Sequence, residues 1–277
     1  PVGTFNPSEG GTSTAACTTC TAGMYCEGLG NINPDGYCNA GFYCTGGAST
    51  PIQHTTEAGY FTTSGASAMT PCSIGTYQDH TAQSVCTTCP AGYYCPTTAM
   101  TNVTTTPCPK GAYCLAGSVN PTLCGIGKYS PNEGNIQESD CLACTAGYYC
   151  GAEGLSAPTG KCDAGYYCIS GATMAVQATD TATGGRCPTG SYCPEGTSSP
   201  HACPAGTYMA SLYNTGVNTW NDLDGKSHTS LCTPCDNGKA CTTSGLSSPD
   251  ATCAGGYWCN LEASLASADC TNNTDCG

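Results

Sequence analysis

The sequence predicts a fold of small disulfide-rich repeats, built mostly from turns and short two-stranded β ribbons in an elongated array with little helix. Three observations lead to this fold class: 27 cysteines among 277 residues, 37 glycines beside 18 prolines, and a short cysteine motif that recurs along the chain. Such a cysteine content is typical of disulfide scaffolds. Much of the 39% hydrophobic content is Ala, Cys and Tyr, so disulfides must replace the aliphatic core expected at this length.

The recurring motif is Cys-x-x-Gly-x-Tyr-Cys, with five residues between its cysteines. Its glycine permits a positive φ or a close chain crossing, and its tyrosine can lie on a neighbouring disulfide or proline. Cys235–Cys241 keeps the glycine without the aromatic residue, and Cys270–Cys276 keeps only the spacing. The other copies are Cys20–Cys26, Cys38–Cys44, Cys89–Cys95, Cys108–Cys114, Cys144–Cys150, Cys162–Cys168, Cys187–Cys193 and Cys253–Cys259.

A second motif, Cys-x-x-Gly-x-Tyr without the closing cysteine, opens larger units at Cys72, Cys124 and Cys203. A polar loop and a Cys-x-x-Cys follow each time, at Cys86–Cys89, Cys141–Cys144 and Cys232–Cys235. Repeats of this kind predict four units, 1–71, 72–123, 124–202 and 203–277, the last of them incomplete.

The first Cys-x-x-Cys, Cys17–Cys20, has no opening cysteine before it. The motif places the missing cysteine immediately before Pro1, and adding it would make the odd total of 27 even. We therefore interpret the sequence as a mature or partial chain in which all cysteines are oxidised. The alternative is a free or intermolecular thiol.

One copy of the motif has lost both cysteines together. Apart from the cysteines, Thr56–Thr62 differs from Cys162–Cys168 only by two similar residues, Glu57 against Asp163 and Phe61 against Tyr167. Loss of one bonded partner would leave a reactive thiol, whereas loss of both does not. This favours local pairing within each motif, with the unit-opening cysteines bonded as Cys72–Cys86, Cys124–Cys141 and Cys203–Cys232. An interleaved pattern remains the alternative, since sequence alone does not fix connectivity.

These motifs resemble the ephrin-receptor-like and growth-factor-receptor-like cysteine-rich repeats. Cys203-Pro-Ala-Gly-Thr-Tyr208 and Cys86-Thr-Thr-Cys-Pro-Ala-Gly-Tyr93 are similar to that family's pattern, and the resemblance covers nearly the whole chain. It implies an extracellular architecture, of the kind found in arrays on protist cell surfaces and in receptor stalks. The closely spaced motifs and the insertion Met209–Leu231 depart from the family pattern.

Charge and hydropathy exclude several classes of function. A net charge of −13 with six Lys plus Arg leaves no basic surface for nucleic acid or anionic lipid. No apolar run reaches the length of a membrane span, so direct membrane insertion is not expected. The cysteine content predicts an oxidising, extracellular or cell-surface location.

Catalytic and metal sites find little support in the sequence. Each unit carries a single Cys-x-x-Cys, whereas zinc modules and thioredoxin-like sites need other arrangements. The Asp222–Gly225 segment lacks the remaining ligands of a calcium loop. We expect no enzyme activity, no cofactor and no metal. The four histidines are expected in polar loops, at His54, His80, His201 and His228.

Glycosylation has better support, because Asn102-Val-Thr and Asn272-Asn-Thr are N-glycosylation sequons. Thr-rich runs at Thr97–Pro107 and Thr173–Thr183 are typical of O-glycosylated stalks. Glu262–Asp269 is the one segment expected to form a helical turn, and Trp220 is expected at a contact surface.

Together these features predict an extracellular structural glycoprotein that forms or decorates a filament, flagellar hair or surface coat. Its expected partners are copies of itself, or a longer repeat chain, and its own glycans. The alternative is the cysteine-rich ectodomain or stalk of a receptor that binds a protein ligand.

Overall fold

The computed structural model describes residues 1–8, 11, 13–177, 182–209, 213–214, 219–220 and 232–252. In these residues short strands pair two by two into thirteen antiparallel ribbons. The helical segments of the described chain are two 3-10 turns, Thr14–Ala16 and Glu138–Asp140. The predicted class of small disulfide-rich repeats with little helix is therefore confirmed.

Nearly all strands are two residues long. They are β1 Thr4–Phe5, β2 Thr18–Thr19, β3 Met24–Tyr25, β4 Gly36–Tyr37, β5 Phe42–Tyr43, β6 His54–Thr55, β7 Tyr60–Phe61, β8 Thr70–Pro71, β9 Thr76–Tyr77, β10 Thr87–Thr88, β11 Ala112–Tyr113, β12 Thr122–Leu123, β13 Lys128–Tyr129, β14 Leu142–Ala143, β15 Tyr148–Tyr149, β16 Gly160–Lys161, β17 Tyr166–Cys168, β18 Gly184–Arg186, β19 Ser191–Tyr192, β20 His201–Ala202, β21 Thr207–Tyr208, β22 Tyr213–Asn214, β23 Thr219–Trp220, β24 Thr233–Pro234, β25 Lys239–Ala240 and β26 Ala251–Thr252.

Each strand pairs with its neighbour in sequence, except that β21 pairs with β24 around the β22–β23 ribbon. A glycine in a turn precedes the first strand of every ribbon outside the β22–β23 insertion, and the residue three places after that glycine is buried in each of these ribbons except β1–β2. The strands consist largely of Thr, Tyr and Phe, which favour extended backbone. Turn and disulfide positions thus limit each strand to a few residues.

We call each such turn and ribbon a module, and number the modules by the turn glycine, which we call the frame glycine. Every frame glycine has a φ between 75° and 89°. From Gly3 to Gly165 successive frame glycines lie 16 to 20 residues apart. In module 6 a single bridge, Tyr93↔Pro107, takes the place of the ribbon. Modules 1 to 13 have the frame glycines Gly3, Gly23, Gly41, Gly59, Gly75, Gly92, Gly111, Gly127, Gly147, Gly165, Gly190, Gly206 and Gly238.

The frame glycine is required for two reasons, which Gly75 illustrates. Its φ of 79° is one that L side chains rarely adopt. In addition, a Cβ at this position would lie 2.8 Å from the carbonyl oxygen of Gly117, two modules further on. The close approach of two backbones therefore fixes glycine here.

Backbone hydrogen bonds join consecutive modules in a repeated ladder. We call the residue three positions before the frame glycine the opening residue and the residue three positions after it the closing residue. The linker residue is the residue with a positive φ that follows the first strand of the ribbon. All four bonds occur at the junctions 2/3 to 6/7, 8/9 to 10/11 and 12/13. At junction 2/3 they are Gly23 N–H to Cys44 O (2.8 Å), Cys26 N–H to Ala48 O (2.8 Å), Cys38 N–H to Gly23 O (3.0 Å) and Gly47 N–H to Cys20 O (2.8 Å).

The ladder explains how the chain folds with few large apolar side chains. Buried clusters are small and centred on cysteine, as where Cys38, Cys44 and Ala48 pack together with the half-buried Tyr25. Because the donors and acceptors belong to the main chain, the junctions depend little on side-chain identity. Backbone hydrogen bonds and disulfides together replace a conventional hydrophobic core.

The chain divides into two compact units. The first comprises Pro1–Leu123 and Asn132–Asp140, and the second comprises Cys124–Pro131 and the described residues of Cys141–Gly277. The main boundary coincides with the predicted opening of a unit at Cys124. The division of the chain into four units stays a prediction.

Candidate functional site

The covalent framework of the described residues consists of eleven disulfides, eight with a sequence separation of 6 and three with separations of 14, 17 and 29. All eleven are among the pairs expected from the sequence, with Cα–Cα distances between 5.7 and 6.1 Å. Eight bonds join an opening to a closing residue: Cys20–Cys26, Cys38–Cys44, Cys89–Cys95, Cys108–Cys114, Cys144–Cys150, Cys162–Cys168, Cys187–Cys193 and Cys235–Cys241. The expected pairs Cys253–Cys259 and Cys270–Cys276 lie outside the described residues.

Three bonds instead cross the loop of their module, Cys72–Cys86, Cys124–Cys141 and Cys203–Cys232. In these modules a different residue occupies the closing position: Gln78, Ser130 or Met209, each at most 4% exposed. Sequence reasoning missed this equivalence. The available signal was the position three residues after the frame glycine, which is the same for these residues as for the closing cysteines.

Module 4 has no disulfide, and a hydroxyl pair takes its place. Thr56 and Thr62 are 0% and 1% exposed, and their Oγ1 atoms lie 2.7 Å apart. The two hydroxyls share a hydrogen bond in a position closed to water. A buried polar group needs such a partner. The paired loss of cysteines in the sequence therefore corresponds to one buried contact.

An aromatic residue stands two places after the frame glycine in modules 1 to 12, and each ring is half-buried. In modules 2, 3, 9 and 11 the ring lies against the partner strand of its own ribbon. A Cβ on Gly36 would lie 3.3 Å from the Tyr25 ring, and Tyr43 stacks on His54 with centroids 5.0 Å apart. These rings therefore cover the ribbons and are part of the fold.

Two of the histidines are placed differently from expectation. His54 and His201 belong to strands rather than loops, and His201 stacks on Tyr192 at 5.3 Å. Cross-strand pairing of an aromatic ring explains their position. His80 lies in a loop, with Nδ1 2.6 Å from the carboxylate of Asp79, and His228 lies outside the described residues.

Cys17 is the one described cysteine outside a disulfide, and it is half-buried. It precedes strand β2 as Cys86 precedes β10, and Cys86 is bonded to Cys72. Cys17 therefore occupies the position of a loop-crossing cysteine. Its expected bond to a cysteine before Pro1 stays a prediction.

The sequon at Asn102 has a defined local geometry. The backbone N–H and the hydroxyl of Thr104 both donate to Asn102 Oδ1, at 2.9 and 2.8 Å. Both residues are exposed. The amide nitrogen, which is the atom that accepts a sugar, makes no hydrogen bond in the described chain. Asn272 lies outside the described residues.

Several other expectations also concern residues that lie wholly or partly outside the described part of the chain. Glu262–Asp269, Asp222–Gly225 and part of Thr173–Thr183 are not described, and for Trp220 the structure gives only the backbone pairing with Tyr213. Among the residues that are described, no three His, Cys, Asp or Glu side chains come together as metal ligands. Across those same residues, no helix has the length and apolarity needed to cross a membrane.

No protein-family model matches this chain, and no curated protein matches its sequence. The class of protein is thus defined by its own architecture: a repeat protein of short ribbons held by closely spaced disulfides. Such bonds form and persist in oxidising compartments. The architecture is that of an extracellular or secreted cysteine-rich protein.

Proposed function

We propose that this chain is a structural glycoprotein that forms or decorates an extracellular filament, flagellar hair or surface coat. The observation that carries the proposal is the ladder, because at nine junctions one module presents the same main-chain donors and acceptors to the next. Each of modules 2 to 13 contains either a disulfide or, in module 4, a buried hydroxyl pair. This arrangement supports a mechanical role.

The buried polar and cysteine side chains of the described residues take part in contacts that hold the fold. The buried polar side chains, such as Gln78 and Asn135, bond to nearby backbone carbonyls. The buried cysteines are bonded in pairs, so none of them is a reactive thiolate. A mechanical function needs no more than these static contacts.

Native, non-reduced material tests the proposal directly. We expect electron microscopy to show polymers, and light scattering after size exclusion to show masses well above one chain. Repeat arrays and head-to-tail contacts extend in this way when they do not close. A monomer that binds a soluble protein ligand would favour the receptor alternative instead.

We further propose that Asn102 carries an N-linked glycan. Thr104 holds Asn102 Oδ1 and leaves the exposed amide nitrogen available, which supports transfer of a sugar in the secretory route. Intact mass before and after enzymatic deglycosylation measures the modification. Asn102→Gln should remove one glycan mass, whereas Thr104→Ser should retain it. Asn6, which Pro7 follows, should carry none.

A further inference from the structure

We propose that module 4 is the point at which the array opens first, with the segment between Cys44 and Cys72 unfolding while disulfide-closed neighbours stay folded. Such a segment would extend under load before the disulfide-closed modules unfold. The inference goes beyond the structural role proposed above, because it concerns one module and is tested on the single chain.

The first observation is the distribution of disulfides. Between Cys44 and Cys72 lie 27 residues that no disulfide touches or encloses in a loop, by the numbering 72 − 44 − 1. The next longest such segment among the described disulfides lies between Cys168 and Cys187, with 18 residues. Disulfides restrict the opened chain and so oppose opening, and this restriction is absent from module 4.

The second observation is the contact that replaces the disulfide. The Thr56–Thr62 hydroxyl pair is a single neutral hydrogen bond. Compared with a bond that closes a seven-residue loop, it should permit an opened population that is larger by roughly tenfold or more. Module 4 keeps its four backbone bonds to module 5, so its closed form remains the ground state.

The third observation concerns the residues that hold module 4. Ala82 N–H donates to Thr56 O at 2.8 Å, and the carbonyl oxygen of Ala99 lies against Gly59. Both alanines have a positive φ, 59° and 55°, where the equivalent residues of other modules, such as Gly65 and Gly117, are glycine. An alanine side chain is strained in this region. Both left-handed alanines of the described chain thus hold the module that lacks a disulfide.

Hydrogen exchange measured by mass spectrometry on the full, non-reduced chain tests the inference. Peptides within 45–71 should exchange at least tenfold faster than peptides between Cys95 and Cys108. In the double variant Thr56→Cys/Thr62→Cys, the new disulfide should slow exchange in 45–71 by a similar factor. The matched control Thr56→Ser/Thr62→Ser keeps the hydroxyl pair without a covalent bond, so its exchange should remain fast.

Equal exchange in the two segments of the wild-type chain would overturn the inference. So would an oxidised double-cysteine variant whose 45–71 segment still exchanges at the wild-type rate. If thiol counting shows that the new cysteines do not bond, Ala82→Gly/Ala99→Gly provides the second test. That variant should slow exchange in 45–71 selectively, and an unchanged rate would reject the inference.

Discussion

The side-chain amide of Gln78 donates a hydrogen bond to the carbonyl oxygen of Val85 at 2.9 Å, within the loop that Cys72–Cys86 closes. The side-chain oxygen of Gln78 accepts a hydrogen bond from the backbone N–H of His80 at 3.2 Å. Gln78 is 4% exposed and stands at the closing position. The side-chain amide of Gln78 thus links two backbone groups within this loop.

Gln78→Ala should lower the free energy of unfolding by about 1–3 kcal/mol, because it removes both hydrogen bonds that this buried side chain makes to the backbone. Chemical denaturation of the oxidised chain, followed by tyrosine fluorescence, measures the change. Gln137→Ala is the matched control, since Gln137 is exposed and its side chain has no hydrogen-bond partner in the described chain. Equal effects of the two substitutions would contradict this role for Gln78.

Gly75→Ala should destabilise the fold by about 2 kcal/mol or more. The added Cβ meets the carbonyl oxygen of Gly117 and is strained by the positive φ. Gly28→Ala separates the two causes, because Gly28 has a φ of 82° with open space around it. Thermal unfolding should show a cost of about 1 kcal/mol there. A Gly75 variant no worse than the Gly28 variant would argue against a close backbone contact.

Ala82→Gly should stabilise the chain by about 0.5 kcal/mol. Relief of the left-handed strain at a φ of 59° exceeds the extra entropy that glycine gains in the unfolded chain. Ala48→Gly provides the opposite case, because Ala48 is fully buried and its φ is not positive. Urea midpoints compared at constant slope measure both variants, and a destabilised Ala82→Gly would refute the expectation.

Adding one cysteine directly before Pro1 should produce a disulfide with Cys17. The added residue would stand where Cys72 stands relative to Cys86, and those two Cα atoms are 5.7 Å apart. Alkylation under denaturing, non-reducing conditions should label Cys17 in the original chain and leave it unlabelled in the extended one. A serine added at the same place should have no effect. Persistent labelling of Cys17 in the cysteine-extended chain would show that the modules are not equivalent.

Asp250 offers a prediction that depends on pH. The hydroxyl and the backbone N–H of Thr242 donate to its carboxylate and hold the pKa of Asp250 below its ordinary value of 3.8. A lowered pKa contributes stability above the unfolded value, and this is lost as pH falls through the folded value. Thr242→Val should raise the pKa of Asp250 in an NMR titration. Thr243→Val, at an exposed neighbour, should leave it unchanged.

The ribbons and the spacing of the disulfides could be predicted from the sequence, because a glycine and two cysteines define most modules locally. The regularity of the modules was harder to detect. Gln78, Ser130 and Met209 share a structural position but no chemistry, and only the ladder shows that they are equivalent. The ladder itself joins main-chain atoms, and the motif glycine does not indicate which distant backbone group it meets. Contacts such as Gly75 with Gly117 bridge 42 positions, as 117 − 75, and have no local signal.

The main-chain character of the junctions also bears on how such a chain can evolve. A duplicated segment of one module would present the donors and acceptors that its neighbours already use, and would bring its own disulfide. Insertion or loss of whole modules would therefore leave the remaining junctions intact. Length could vary between descendants by unequal recombination, while a conventional globular core would tolerate no such change. Selection would act on the number of modules as well as on their residues.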